Sequence, residues 1–69
     1  MNKVLKVIGR NIAHARKAKG WTQDELAHRT GMDRSYLSEI ENGHKNPSVL
    51  VLLDLANTLD VSPSQLLET

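Results

Sequence analysis

Three histidines, His14, His28 and His44, are the residues whose type could ligate a metal or move a proton. No two of them stand one helical turn apart, and the chain has no cysteine to complete a ligand set. Zinc chemistry needs His or Cys ligands at fixed short spacings, so no metal site is predicted and each histidine is expected to be solvated. Ser35 and Ser38 could act as nucleophiles only beside a positioned base, and no such partner is spaced to serve them. There is no glycine-rich phosphate loop. The pattern therefore predicts no enzymatic activity and no cofactor. A second kind of chemistry does fit, because Arg34, Ser35, Ser38 and Glu39 lie close together and carry groups that read base edges. Arginine can bind guanine O6 and N7 with two donors, serine pairs with several bases, and a carboxylate can accept from the cytosine amino group.

Side chains that read bases must stand on one face of a rigid element. Leu5, Ile8, Ile12 and Ala15 recur at helical spacing between Lys3 and Lys19, and Gly20 stands where a helix would end. In Trp21-Thr22-Gln23-Asp24-Glu25-Leu26, Thr22 can cap a second helix and Glu25 can reach back to it, while Trp21 packs on Leu26. That helix is short, about Gln23 to Arg29, because Gly31 follows and supplies the positive φ of a tight turn. Asp33 caps a third helix, about Arg34 to Asn42, with Met32 and Leu37 as its staple and Leu37 and Ile40 as its buried pair. Arg34, Ser35, Ser38 and Glu39 are thereby left on or near its outer face.

Asn42-Gly43 ends the third helix, and His44-Lys45-Asn46-Pro47 reads as a loop. Ser48 caps a fourth helix whose predicted core stripe is Val49, Leu52, Leu53, Ala56 and Leu59. Ser62-Pro63-Ser64-Gln65 offers a cap, a proline at the first helical position and a second capping-box pattern, with Val61 and Leu66 as staple. The prediction is an all-α, five-helix bundle over residues 1–69 as one domain. Its expected core is Ile8, Ile12, Leu26, Ala27, Leu37, Ile40, Leu52, Ala56, Leu59, Val61 and Leu66.

Composition agrees with that architecture. A chain of 69 residues with 39% hydrophobic and 25% charged residues supports one small core, and its single Trp and single Tyr leave aliphatic side chains to fill it. Without cysteine, stability must come from packing and oligomerisation. The longest apolar run, Val49 to Leu53, is far short of the ~20 residues that span a bilayer, and no signal-peptide pattern opens the chain, so no membrane partner and a cytoplasmic location are expected. The net charge is only +1, but Lys3, Lys6, Arg10, Arg16, Lys17 and Lys19 all fall in the first twenty residues without an acid among them. A positive field concentrated in this way suits an anionic partner such as nucleic acid.

Two short helices joined by a turn containing Gly31 fit a helix-turn-helix, whose second helix enters the major groove. The run Gln23-x-x-Leu26-Ala27-x-x-x-Gly31-Met32-x-x-x-x-Leu37-Ser38-x-Ile40-Glu41-Asn42-Gly43 resembles the signature of the phage-repressor and Cro-type helix-turn-helix regulators, the xenobiotic-response-element family. The resemblance continues through Pro47-Ser48 and Leu52-x-x-Leu55-Ala56-x-x-Leu59-x-Val61-Ser62 to Leu66-Leu67. Within the family, Asp33-Arg34-Ser35-Tyr36-Leu37 and Lys45-Asn46-Pro47-Ser48 resemble the small controller proteins of restriction-modification systems.

The resemblance implies roles for individual residues. The position of Gln23 contacts a phosphate from the start of the second helix, with Thr22 beside it, while those of Arg34, Ser35 and Ser38 face bases. A helix N-terminus with free N–H groups suits an anion, which agrees with the first of these roles. Arg16 and Glu41 match positions that form an ion pair linking the first helix to the end of the third, an orienting contact more than a stabilising one. Asn42, Lys45, Asn46 and Ser48 resemble the loop that grips phosphate beyond the recognition helix. Tyr36 is grouped with the base-facing set; its ring could stack on sugar or phosphate, or pack across a dimer or against the fourth helix. Glu39 departs from the glutamine of some phage repressors, so no base is carried over to it.

The function implied is a sequence-specific regulator that reads a palindromic operator in double-stranded DNA as a homodimer, a repressor or autoregulator. The family commonly has polar residues at the positions of Leu50 and Val51. Both are apolar here and lie off the predicted core stripe, so they are assigned to a dimer interface built from the fourth helix and its neighbour the fifth, the alternative being that one packs on the fifth helix or stands exposed singly. An antitoxin-like interaction module is the rival reading, and it would add a toxin-binding segment. The chain ends at Thr69 directly after the fifth helix, so neither that segment nor a small-molecule effector domain is expected.

Overall fold

A side-chain oxygen stands ready to accept a main-chain N–H at the start of each of the first four helices, and these caps set where the elements begin. In a computed structural model describing residues 2–69, the helices are α1 (Lys3–Ala18), α2 (Gln23–Thr30), α3 (Arg34–Glu41), α4 (Val49–Leu59) and α5 (Pro63–Leu66), with no strand among the described residues. Asn2 Oδ1 accepts from Val4 N at 2.8 Å, Thr22 Oγ1 from Glu25 N at 3.1 Å, and Ser48 Oγ from Val51 N at 3.2 Å. Asp33 caps α3 through Ser35 N at 3.4 Å. At α5, Gln65 Oε1 accepts from Ser62 N at 2.7 Å, the returning half of the predicted capping box.

The box predicted at α2 forms only in part. The Glu25 carboxylate does not return to Thr22 but pairs with Arg29 Nε at 2.7 Å, one turn along the helix. The same guanidinium lies 4.2 Å from the centre of the Trp21 ring. A cation already held on an aromatic face offers the carboxylate a better partner than a neutral amide.

One core joins all five helices: Ile8, Ile12, Leu26, Ala27, Leu37, Ile40, Leu55, Ala56, Leu59 and Leu66. The register of α4 corrects the expected stripe. Leu55, Ala56 and Leu59 are buried, Leu52 is half-buried, and Val49 and Leu53 are exposed. Val61 is likewise half-buried, packed on the edge of the core. The helix VLVLLDLANTL is apolar nearly all round through its first half, so periodicity there marks no unique inner side; packing against α2 and α5 selects it.

Two contacts close the structure around α1. A Cβ on Gly9 would stand 2.4 Å from the Ile40 carbonyl oxygen and 2.5 Å from that of Glu41, so only glycine lets α1 approach the end of α3 this closely. Asn11 Nδ2 donates to the Leu66 and Glu68 carbonyls at 3.0 and 2.8 Å, satisfying acceptors that the end of α5 leaves open. Among the described residues no helix is long and apolar enough to cross a membrane.

Candidate nucleic-acid interface

The candidate surface is built on α2, the turn Gly31-Met32-Asp33, and α3. Gly31 ends α2 with φ of 69°, and Met32 N then donates back to Ala27 O at 2.9 Å. A left-handed residue followed by this return bond turns the chain sharply into α3. Leu37 and Ile40 are fully buried and fix the rotation of α3 about its axis. That rotation leaves Arg34, Ser35 and Glu39 exposed, with Ser38 half-buried on the flank of the same face. Tyr36 is half-buried and packs against the core.

The far end of α3 is locked by a buried polar network. Arg16 Nε and Nη2 donate to the two Glu41 carboxylate oxygens at 2.8 and 3.0 Å, and Arg16 Nη1 donates to the Trp21 carbonyl at 2.9 Å. Gln23 Nε2 donates to Glu41 Oε1 at 2.9 Å. The Glu41 side chain is only 4% exposed. One carboxylate thus ties α1, the entrance to α2 and the end of α3 together, and the Arg16–Glu41 ion pair implied by the resemblance is formed. Removing either charge would leave the other buried and uncompensated.

Gln23, for which the resemblance implies a phosphate contact, is half-buried with its amide on Glu41. One N–H of that amide is committed, and the other is left to donate. Thr22 Oγ1 and Ser48 Oγ serve as caps by accepting main-chain N–H groups, so their own O–H groups remain donors suited to an anion. Asn42, Lys45 and Asn46 are exposed in the segment between α3 and α4. His14, His28 and His44 are all exposed, and no group of His, Cys, Asp or Glu among the described residues is arranged to hold a metal.

The pair assigned to a dimer interface divides. Leu50 is 75% exposed on α4, whereas Val51 is half-buried and packs on the core, because it lies one turn from Leu55 on the inner side. Val49, 72% exposed, and Leu53 lie beside Leu50 on the outer side of α4. Four other positions gave no usable signal in the sequence. Gly9 and Asn11 act through residues far along the chain, and the Trp21 carbonyl is a main-chain group. Asp24 meets Arg34 across the turn, with Arg34 Nε 3.2 Å from Asp24 Oδ1.

Residues 12–66 match the Helix-turn-helix family model. The chain belongs to this helix-turn-helix family. It is 44% identical over 61 residues to the HTH-type transcriptional regulator y4dJ of Sinorhizobium fredii, covering 88% of this chain and 79% of that protein. It is also 44% identical over 63 residues to the HTH-type transcriptional regulator SinR of Bacillus subtilis, where the match covers 90% of this chain and 57% of SinR. The solved structure of SinR in complex with DNA superposes with a TM-score of 0.82 at 45% identity, covering 88% of this chain and 98% of that one. The restriction-modification controller protein C.AhdI from Aeromonas hydrophila superposes with a TM-score of 0.86 at 40% identity, covering 90% and 94%. The resemblance drawn from the sequence motifs is therefore correct at the level of family, and the fold is that of a helix-turn-helix DNA-binding domain.

Proposed function

We propose that this chain regulates transcription by reading a palindromic operator as a homodimer, with α3 in the major groove. Arg34, Ser35, Ser38 and Glu39 face base edges, with Tyr36 on the flank. Thr22, Gln23, Asn42, Lys45, Asn46 and Ser48 donate to phosphates on either side. The observation that carries this reading is the division of α3 into two faces: Leu37 and Ile40 are sealed in the core, while the opposite face is polar, exposed and held at its end by Glu41. Any surface helix carries a polar outer face; what suits this one to base reading is that its polar groups stand on a support locked at its end by the buried Glu41 network.

The dimer forms through the outer side of α4, where Val49, Leu50 and Leu53 are exposed together. Apolar side chains grouped in this way favour a partner, and an identical partner related by a two-fold axis supplies the second recognition helix that a palindrome requires. Bound across an operator, the dimer acts as a repressor or autoregulator whose occupancy follows its own concentration. A duplex titration at several salt concentrations tests the reading. A DNA reader loses affinity linearly in log–log form as counterion release is suppressed, with a slope of about 0.9 per neutralised phosphate. Absence of duplex binding at low salt would contradict it.

A further inference from the structure

Arg34 and Asp24 form an ion pair at 3.2 Å although their side chains are 62% and 76% exposed. Exposed pairs of this kind contribute little to stability, so stability does not account for the contact. The placement of the two residues is also uneven. Arg34 is the first residue of α3, where the helix dipole disfavours a cation, while Asp24 lies in the first turn of α2, where the dipole favours an acid. Nothing buries Arg34 and its own helix end repels it, so the Asp24 carboxylate is the group that draws the guanidinium across the turn.

The atoms involved give the contact a use. The guanidinium atom nearest the Asp24 carboxylate is Nε. That leaves the two terminal nitrogens, with two N–H donors each, as a planar fork. We propose that Asp24 is a positioning residue for sequence reading, holding Arg34 by its Nε edge so that the terminal fork meets O6 and N7 of a single guanine. The inference rests on the base-reading role proposed for Arg34. It adds a specificity determinant on α2, outside the recognition helix. A long side chain fixed before binding loses less entropy when it binds. The same carboxylate repels phosphate, so it also discourages Arg34 from becoming a general backbone clamp. Among the described residues the other ion pairs are Arg16–Glu41 and Arg29–Glu25, so Lys45 has no comparable acid on it.

The test compares Asp24→Asn, Arg34→Ala and the double variant by titration on three duplexes. These are the duplex enriched by the wild-type protein from a randomised pool, the same duplex with its Arg34-dependent base pair replaced, and an unrelated duplex of equal length. Asp24→Asn is expected to weaken the enriched duplex by about 2- to 10-fold, the scale of ordering one flexible side chain. Binding to the unrelated duplex should stay level or tighten, and the change should add nothing in the Arg34→Ala background. The ratio between duplexes is unaffected by any change in folded fraction. An equal shift on all three duplexes, an undiminished effect in the Arg34→Ala background, or an Arg34-dependent pair other than G·C overturns the positioning role. If Arg34→Ala itself keeps the wild-type preference, the base-reading role falls and this inference falls with it. If Arg34→Ala relaxes the preference and Asp24→Asn does not, the positioning role alone falls.

Discussion

Arg34 and Lys45 are both exposed cations, but they are held differently and should fail differently when removed. Arg34 stands at the start of α3 beside Ser35, steadied by Asp24, whereas Lys45 lies in the segment after α3. Arg34→Ala is expected to relax the preference at one base pair per half-site and to cost about 1 to 3 kcal/mol of specific affinity. Lys45→Ala should instead weaken binding to every duplex alike and lower the salt slope by about one unit. Parallel titrations on matched and mismatched duplexes separate the two, and an exchange of these signatures would reassign the residues. Glu41 belongs to a third kind, since it holds the frame and need not touch DNA. Glu41→Ala should destabilise the fold by about 3 to 5 kcal/mol in urea unfolding, because it strands the Arg16 guanidinium in a buried site.

At the scale of elements, the helix boundaries were legible because local chemistry sets them. Thr22, Asp33, Ser48 and Ser62 are capping types, Pro63 opens α5, and Gly31 supplies the turn. What the helices bury was legible only where polar residues interrupt the apolar ones. The stripes of α1 and α3 were readable for that reason. In α4 the run Val49 to Leu53 has no polar residue to mark an outside, and Leu55 escaped the expected core while Leu52 was placed too deep. Leu55→Ala should therefore cost about 2 to 5 kcal/mol, and Leu52→Ala clearly less, by the same unfolding measurement. Equal losses would contradict this register. Among the residues of the site, the Arg16–Glu41 pair was legible through family resemblance, but Gln23 on Glu41 and Asp24 on Arg34 were not. Both contacts exist only once α2 and α3 are docked. Gly9 is a further case, since its need for a bare Cα comes from the Ile40 and Glu41 carbonyls some thirty residues away.

At the scale of the whole molecule, the length of one recognition helix is the reason the proposed function uses two copies. α3 has 8 residues and is about 12 Å long, enough to follow only a few base pairs. In the proposed function two copies each read one half-site, and the exposed Val49, Leu50 and Leu53 are where they would join. Sedimentation at micromolar concentration should show a dimer that Leu50→Glu dissociates by placing a charge in the apolar contact. A wild type that remains monomeric, or a variant that dimerises equally well, removes α4 as the interface. The most direct measurement of the central claim is selection of bound duplexes from a randomised pool by the wild-type protein. The predicted result is enrichment of two inverted half-sites whose centres lie one helical turn of DNA apart. Recovery of sequences with no common element, or of a single unrepeated site, would contradict it.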